Sequence, residues 1–177
     1  MTFDTPAVPA ADRRHKLSLI RREVERREWT KPPRIGYVYA AENWDDVEML
    51  VNDLRYELMD AYNFSPINMK TTQTESIYDI PLFINHSHHR SDIVFALGVV
   101  YKDSPMYDQR LVDMVTQRLS ALSMPGRVPV FDCILIRDNR QHLQTHLAQL
   151  EENGTSFAKI WASRAIDTYN ILSKPPL

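Results

Sequence analysis

Lys102, Asp103 and Ser104 follow the apolar run Ile93–Val100 after Tyr101, and Tyr107 comes three residues later. An ammonium, a hydroxyl and the amides of a helix start are the groups an anionic ligand such as a phosphate needs. Asp103 works against that use, because its carboxylate offsets the one cation in the loop. A phenol can act as a general acid or base, so Tyr107 is either a proton-transfer group or a packed helix residue. His142 and His146 stand four apart, a helical spacing that can hold a metal. No glutamate follows His142 as a zinc-protease pattern requires, and two surface histidines are the simpler reading. His86, His88 and His89 lie between Asn85 and Arg90 and read as a polar helix end rather than as a metal or pH-sensing cluster. No metal site is therefore expected. Asp132 interrupts the apolar run Val128–Leu135. A buried unpaired carboxylate is costly, so Asp132 should line a pocket or pair with an arginine or lysine. Cys133 alternates with it and should face the core, with no base beside it to make a nucleophile.

The elements that must position these groups can be read from the same sequence. Ile93–Val100 is apolar without alternation and broken only by Gly98, the pattern of a strand buried on both faces in a parallel sheet. Ser104 reads as an N-cap with Pro105 at the first helical position, followed by Val112, Val115, Leu119 and Leu122 at helical spacing. Such a strand–loop–helix places the 102–104 loop at the carboxyl end of a strand, where open α/β sheets bind ligands. Before it, Arg34–Tyr39 is a first strand. Asn43 is an N-cap candidate with Asp45 and Asp46 in the first turn of a helix carrying Val47, Leu50, Val51, Leu54 and Leu58. Ile67–Thr72, less apolar, is a second strand nearer an edge, and Ile77 to about His89 a short helix despite Pro81. After it, Val128–Leu135 is a fourth strand. Asp138 reads as the cap of a helix with Leu143, Leu147 and Leu150, closed by Asn153-Gly154. Thr155 or Ser156 opens a last helix through Phe157, Trp161 and Ile171. The order β-α-β-α-β-α-β-α-α is a three-layer α/β/α sandwich around a four-stranded parallel sheet.

The 177 residues suffice for one such domain, and 44% hydrophobic with 25% charged residues is ordinary for a globular chain. A net charge of −2 speaks against a nucleic-acid partner. No apolar run is long enough to span a membrane, and no secretory signal opens the chain. The single cysteine excludes an internal disulfide and fits a reducing, cytoplasmic setting. Met1–Ala11 should be disordered. Asp12–Glu28 should be a helix with Leu17, Ile20 and Val24 on one stripe, and it holds seven Arg and Lys against four Asp and Glu. It is either a solvated docked helix or a basic arm for an acidic partner or surface. Lys31-Pro32-Pro33 reads as a linker, so the organisation is an arm over 1–33 and a domain over 34–177.

Arg34-Ile35-Gly36, the run Ala96–Val100 with Lys102 and Ser104 behind it, Pro129-Val130 and Trp161 come in an order and spacing that resembles the lumazine synthases from about Arg34 to Leu172. That family condenses a ribitylamino-pyrimidinedione with a dihydroxybutanone phosphate to dimethylribityllumazine, the riboflavin precursor. The resemblance implies a flavodoxin-like topology, no cofactor, and a homopentamer with sites between neighbouring subunits. It also implies positions for the site. The family's proton-transfer histidine falls on Tyr107, or on Met106 with one gap. Its phosphate-binding arginine falls on His146, where one branch also has histidine. Its loop glycine is Asp103, its strand-four phenylalanine is Asp132, and its aromatic after strand one is Glu42, with Trp44 two residues on. The turn after strand two lacks glycine and reads Thr74-Glu75-Ser76-Ile77. Asn43, Lys102 and Ser104 are retained, and Asp79 stands for a glutamate. The expected site is thus Tyr107 and His146 for catalysis, with Glu42, Asn43, Trp44, Ser76, Ile77, Lys102, Asp103, Ser104 and Asp132 around a small-molecule ligand. The expected function is a rebuilt site in which the standard condensation is lost or very weak. A working divergent synthase and a purely structural protein are the rivals.

Overall fold

The run Ile93–Tyr101 is buried along its whole length and forms the third of four parallel strands. In the computed structural model, which describes residues 32–88, 90–123 and 128–173, the strands are β1 (Ile35–Ala40), β2 (Met69–Thr74), β3 (Ile93–Tyr101) and β4 (Val130–Arg137), in the order β2-β1-β3-β4. That order, with helices between the strands, is the flavodoxin-like arrangement. The helices are α1 (Trp44–Tyr62), α2 (Ile80–Ser87), α3 (Gln109–Leu122), α4 (Arg140–Glu152) and α5 (Phe157–Leu172). The helix expected over Asp12–Glu28 lies outside the described residues.

Alternation along β1 and β3 divides the core into two layers. Tyr37, Phe95, Leu97 and Val99 face Leu50, Leu54 and Leu58 of α1, Leu143 of α4 and Trp161, Ala162 and Ile166 of α5. Val38, Val94 and Ala96 face Ile80 and Ile84 of α2 and Val112, Val115 and Leu119 of α3. Central strands covered on both sides are why the run around Gly98 shows no polar alternation. Gly98 has a packing reason of its own, since a Cβ there would lie 2.7 Å from Ile77 Cγ2.

Three helix starts differ from the sequence reading. Ser104 and Pro105 do not open α3; they form a turn, and Asp108 caps the helix by accepting from Arg110 N at 2.8 Å. Pro105 fits the turn equally well because its fixed φ suits either position. Asp138 is not the cap of α4; Asn139 is, accepting from His142 N at 2.9 Å. Pro81 does not have to be tolerated within α2, because it sits in the first turn, where its missing N–H goes unused. Ser156 caps α5.

Candidate functional site

Four chain segments leave the carboxyl ends of the strands, and each brings some of the expected residues. After β1, Asn43 turns the chain in a left-handed conformation, φ 52°, which asparagine tolerates better than most residues. It does not cap α1 with its side chain; its Nδ2 donates to Val99 O at 2.8 Å and ties the turn to β3. Trp44, 37% exposed, leans on Tyr39 with ring centroids 5.6 Å apart. Glu42 reaches the loop after β2, where its Oε2 accepts from Ser76 Oγ at 2.9 Å and from Ile77 N at 3.4 Å. The donors that this loop could offer a ligand are therefore held by a carboxylate of the chain itself. That carboxylate also helps raise the pKa of the nearby Tyr78 phenol, after the larger effect of burial.

After β3, Lys102 extends to Asp138 at the end of β4, Nζ to Oδ1 2.9 Å, and the other Asp138 oxygen meets His142 Nδ1 at 3.2 Å. The pair raises the lysine and lowers the carboxyl from their ordinary values, chiefly through their shared hydrogen bond. The sequence reading has Asp103 offset Lys102. Instead Asp138 neutralises the lysine and Asp103 is exposed beside the turn, its amide donating to Asp138 O at 3.2 Å. Ser104 Oγ accepts from Met106 N at 3.3 Å and closes that turn. Tyr107 is half-buried against the α2–α3 layer. Its hydroxyl donates to Gln109 Oε1, and Gln109 in turn donates to Asp113 Oδ1 at 2.6 Å.

His146 lies on α4 against Phe157, ring centroids 5.1 Å apart, with Arg137 Nη2 2.9 Å from its Nδ1. Arg137 was missed from sequence. It ends β4, its guanidinium stands 5.7 Å over Phe157, and its buried Nε has no hydrogen-bond partner among the described residues. The Arg137-Asp138 pair at a strand end was the signal that could have found both residues.

Among the described residues, Asp132 neither lines a pocket with these groups nor pairs with Arg or Lys. It is exposed on β4, the sheet's edge strand, opposite Ala96, and accepts from Ile134 N at 3.0 Å and from Thr116. An edge strand leaves amides free, and a carboxylate can satisfy one of them. Six residues of strand separate Ala96 from Lys102, about 20 Å. One subunit therefore cannot bring Asp132 to the Lys102 loop. Cys133 faces the core as expected, and burial raises its thiol. Among the described residues, no three of His, Cys, Asp and Glu come together as a metal site, and no helix is long and apolar enough to cross a membrane.

The family model of 6,7-dimethyl-8-ribityllumazine synthase matches residues 32–173. The chain belongs to that family. No curated protein matches it. At the strand ends of this lumazine synthase family member, acids hold the donors. Glu42 holds the amide and hydroxyl after β2, Asp138 holds Lys102, and Asp108 holds the start of α3.

Proposed function

We propose that this is a lumazine-synthase-fold protein with a rebuilt site, in which the standard condensation is lost or very weak, and which takes a neutral or cationic small molecule or serves as an oligomeric scaffold. The observation that carries the reading is the Glu42 carboxylate on Ser76 Oγ and Ile77 N. A phosphate brought to about 5 Å from one carboxylate is repelled by roughly 3 kcal/mol at an effective dielectric of about 20, before salt screening. Lys102 is already matched by Asp138, so it offers little to offset that term. The rings of Trp44 and Tyr107 offer faces that suit a cation or a flat neutral ligand.

Titration calorimetry with inorganic phosphate tests this. No binding is expected in the native protein, and measurable binding is expected in the double variant Asp103→Gly/His146→Arg, which removes one acid and adds one cation. Millimolar or tighter binding by the native protein would favour the second reading, a working divergent synthase of riboflavin biosynthesis. One observation supports that alternative: Arg137 places a guanidinium beside His146, where the resemblance expects the phosphate-binding arginine.

Membership of the family, whose sites the resemblance places between neighbouring subunits, supports a homopentamer. Light scattering should then give about 104 kDa for five 20.7 kDa chains closed by one repeated interface. A monomer would remove any shared site.

A further inference from the structure

Helices α1, α4 and α5 enclose a groove of about 630 Å³. Its walls carry Asp53, Glu57 and Asp60 of α1 and Glu151 of α4, against Lys159 of α5. Lys159 is engaged in its own helix start, donating to Gly154 O at 3.1 Å. The groove also has an apolar component in Met49 and Leu147, which are only partly buried. Desolvation within the groove raises the Asp53 carboxyl from its ordinary value although its surface is exposed.

The same chain contains a segment of complementary character. Asp12–Glu28 has seven Arg and Lys against four Asp and Glu, in a protein whose net charge is −2. The remainder is the more acidic for it. Leu17, Ile20 and Val24 recur at helical spacing on that segment. Connectivity puts the two within reach. Ile35, the first residue of β1, lies beside Met69, the first residue of β2, and α1 ends at Tyr62 just before β2 begins. The chain therefore enters the domain at the end of α1 that carries Asp60. Trp29–Pro33 spans up to about 17 Å when extended. A helix over Asp12–Glu28 would be about 26 Å long, close to the roughly 28 Å of α1.

We propose that the chain's own N-terminal segment, Asp12–Glu28, docks as a helix along the α1–α4–α5 groove, with its basic residues against Asp53, Asp60 and Glu151 and its Leu17–Ile20–Val24 stripe on Met49 and Leu147. This assigns the basic arm an intramolecular partner and is independent of the chemistry at the strand ends.

Hydrogen–deuterium exchange on the full-length protein tests it. Amides of Leu17–Val24 should be protected in the native chain. In a charge-reversed groove, Asp53→Lys/Asp60→Lys/Glu151→Lys, they should exchange about tenfold faster, the effect of losing about three exposed ion pairs. Adding Arg21→Glu/Arg22→Glu/Arg26→Glu to that variant should restore protection. The three groove carboxylates are exposed, so circular dichroism should report an unchanged fold. Should the reversal nevertheless unfold the protein, Asp53→Asn/Asp60→Asn/Glu151→Gln gives the same direction of change with a smaller size. Equal exchange in native and groove variants would overturn the proposal. So would cross-links that join the arm of one isotopically labelled copy to the groove of an unlabelled one, which would make the occupant a second copy.

Discussion

Acidification from pH 6.5 to about 4 is expected to remove about 3 kcal/mol of folding stability through His88 alone. The side chain is 1% exposed, packed against Gly36, where any Cβ would collide with its Nδ1. Its Nε2 lies 2.9 Å from Thr72 Oγ1 and its Nδ1 3.4 Å from Ser91 Oγ, contacts that suit a neutral ring with one donor and one acceptor. Burial, and secondarily the Lys70 ammonium, lower its pKa from 6.5 to about 4. The unfolded chain takes the proton at the ordinary value and the folded chain only near 4. Stability from the neutral ring is thus complete above pH 6.5, falls by about 1.4 kcal/mol per pH unit through the window, and is gone below the folded value. Asp138, lowered by Lys102, acts in the same direction, so the comparison must be with His88→Gln, which cannot titrate. Urea unfolding of the two proteins at several pH values should show the slope in the native chain and its reduction in the variant. A His88 imidazole resonance, assigned by its absence from His88→Gln, that titrates near 6.5 in the folded protein would contradict the prediction.

Asp46→Ala is expected to cost about 3 kcal/mol, the low end for breaking a buried charge network. Asp46, its side chain 5% exposed, accepts from the Tyr101 hydroxyl at 2.8 Å and from Gln144 Nε2 at 3.3 Å, and pairs with Arg140 Nε at 3.1 Å. It joins the first turn of α1, the last residue of β3 and the first turn of α4. Burial, with the Asp46 carboxylate second, keeps the Tyr101 phenol protonated well above its usual range, so that hydroxyl must donate. Alanine leaves it without an acceptor and frees the residue that precedes Lys102. Tyr101→Phe, which removes donor and demand together, should cost about 1 kcal/mol. Denaturant unfolding that gives the two variants equal stability would show that the network does not hold β3 to α1 and α4.

The sheet was legible because its signals are local and strong. An unalternating run such as Ile93–Val100 has few destinations other than a strand covered on both sides, and the less apolar segment read at Ile67–Thr72 overlaps the edge strand β2, Met69–Thr74. Helix starts were harder to place. Ser104-Pro105 and Asp108 both satisfy cap chemistry, and the choice between them depends on where the 102–104 turn must meet Arg137 and Asp138 across the sheet. The expected site residues were named, but their partners were not. Glu42 on Ser76, and Lys102 on Asp138, are each separated by more than thirty residues. Nothing in the types or spacing of those residues says that the acids would turn inward to the donors rather than outward to solvent. Asp132 shows the converse. Its oddity within an apolar run was visible, but its explanation is the free edge of β4, a property of strand order and not of the run itself.

Lumazine formation from the ribitylamino-pyrimidinedione and the dihydroxybutanone phosphate, followed by stopped-flow absorbance, tests the rebuilt site most directly. The expected rate is at least about a hundredfold below that of an ordinary family member, the low end of what a positioned proton-transfer group supplies. Tyr107, its hydroxyl held by Gln109, stands where the resemblance expects the histidine. Turnover in the ordinary range would contradict the account and leave Glu42, Lys102 and Asp138 as features of a working synthase.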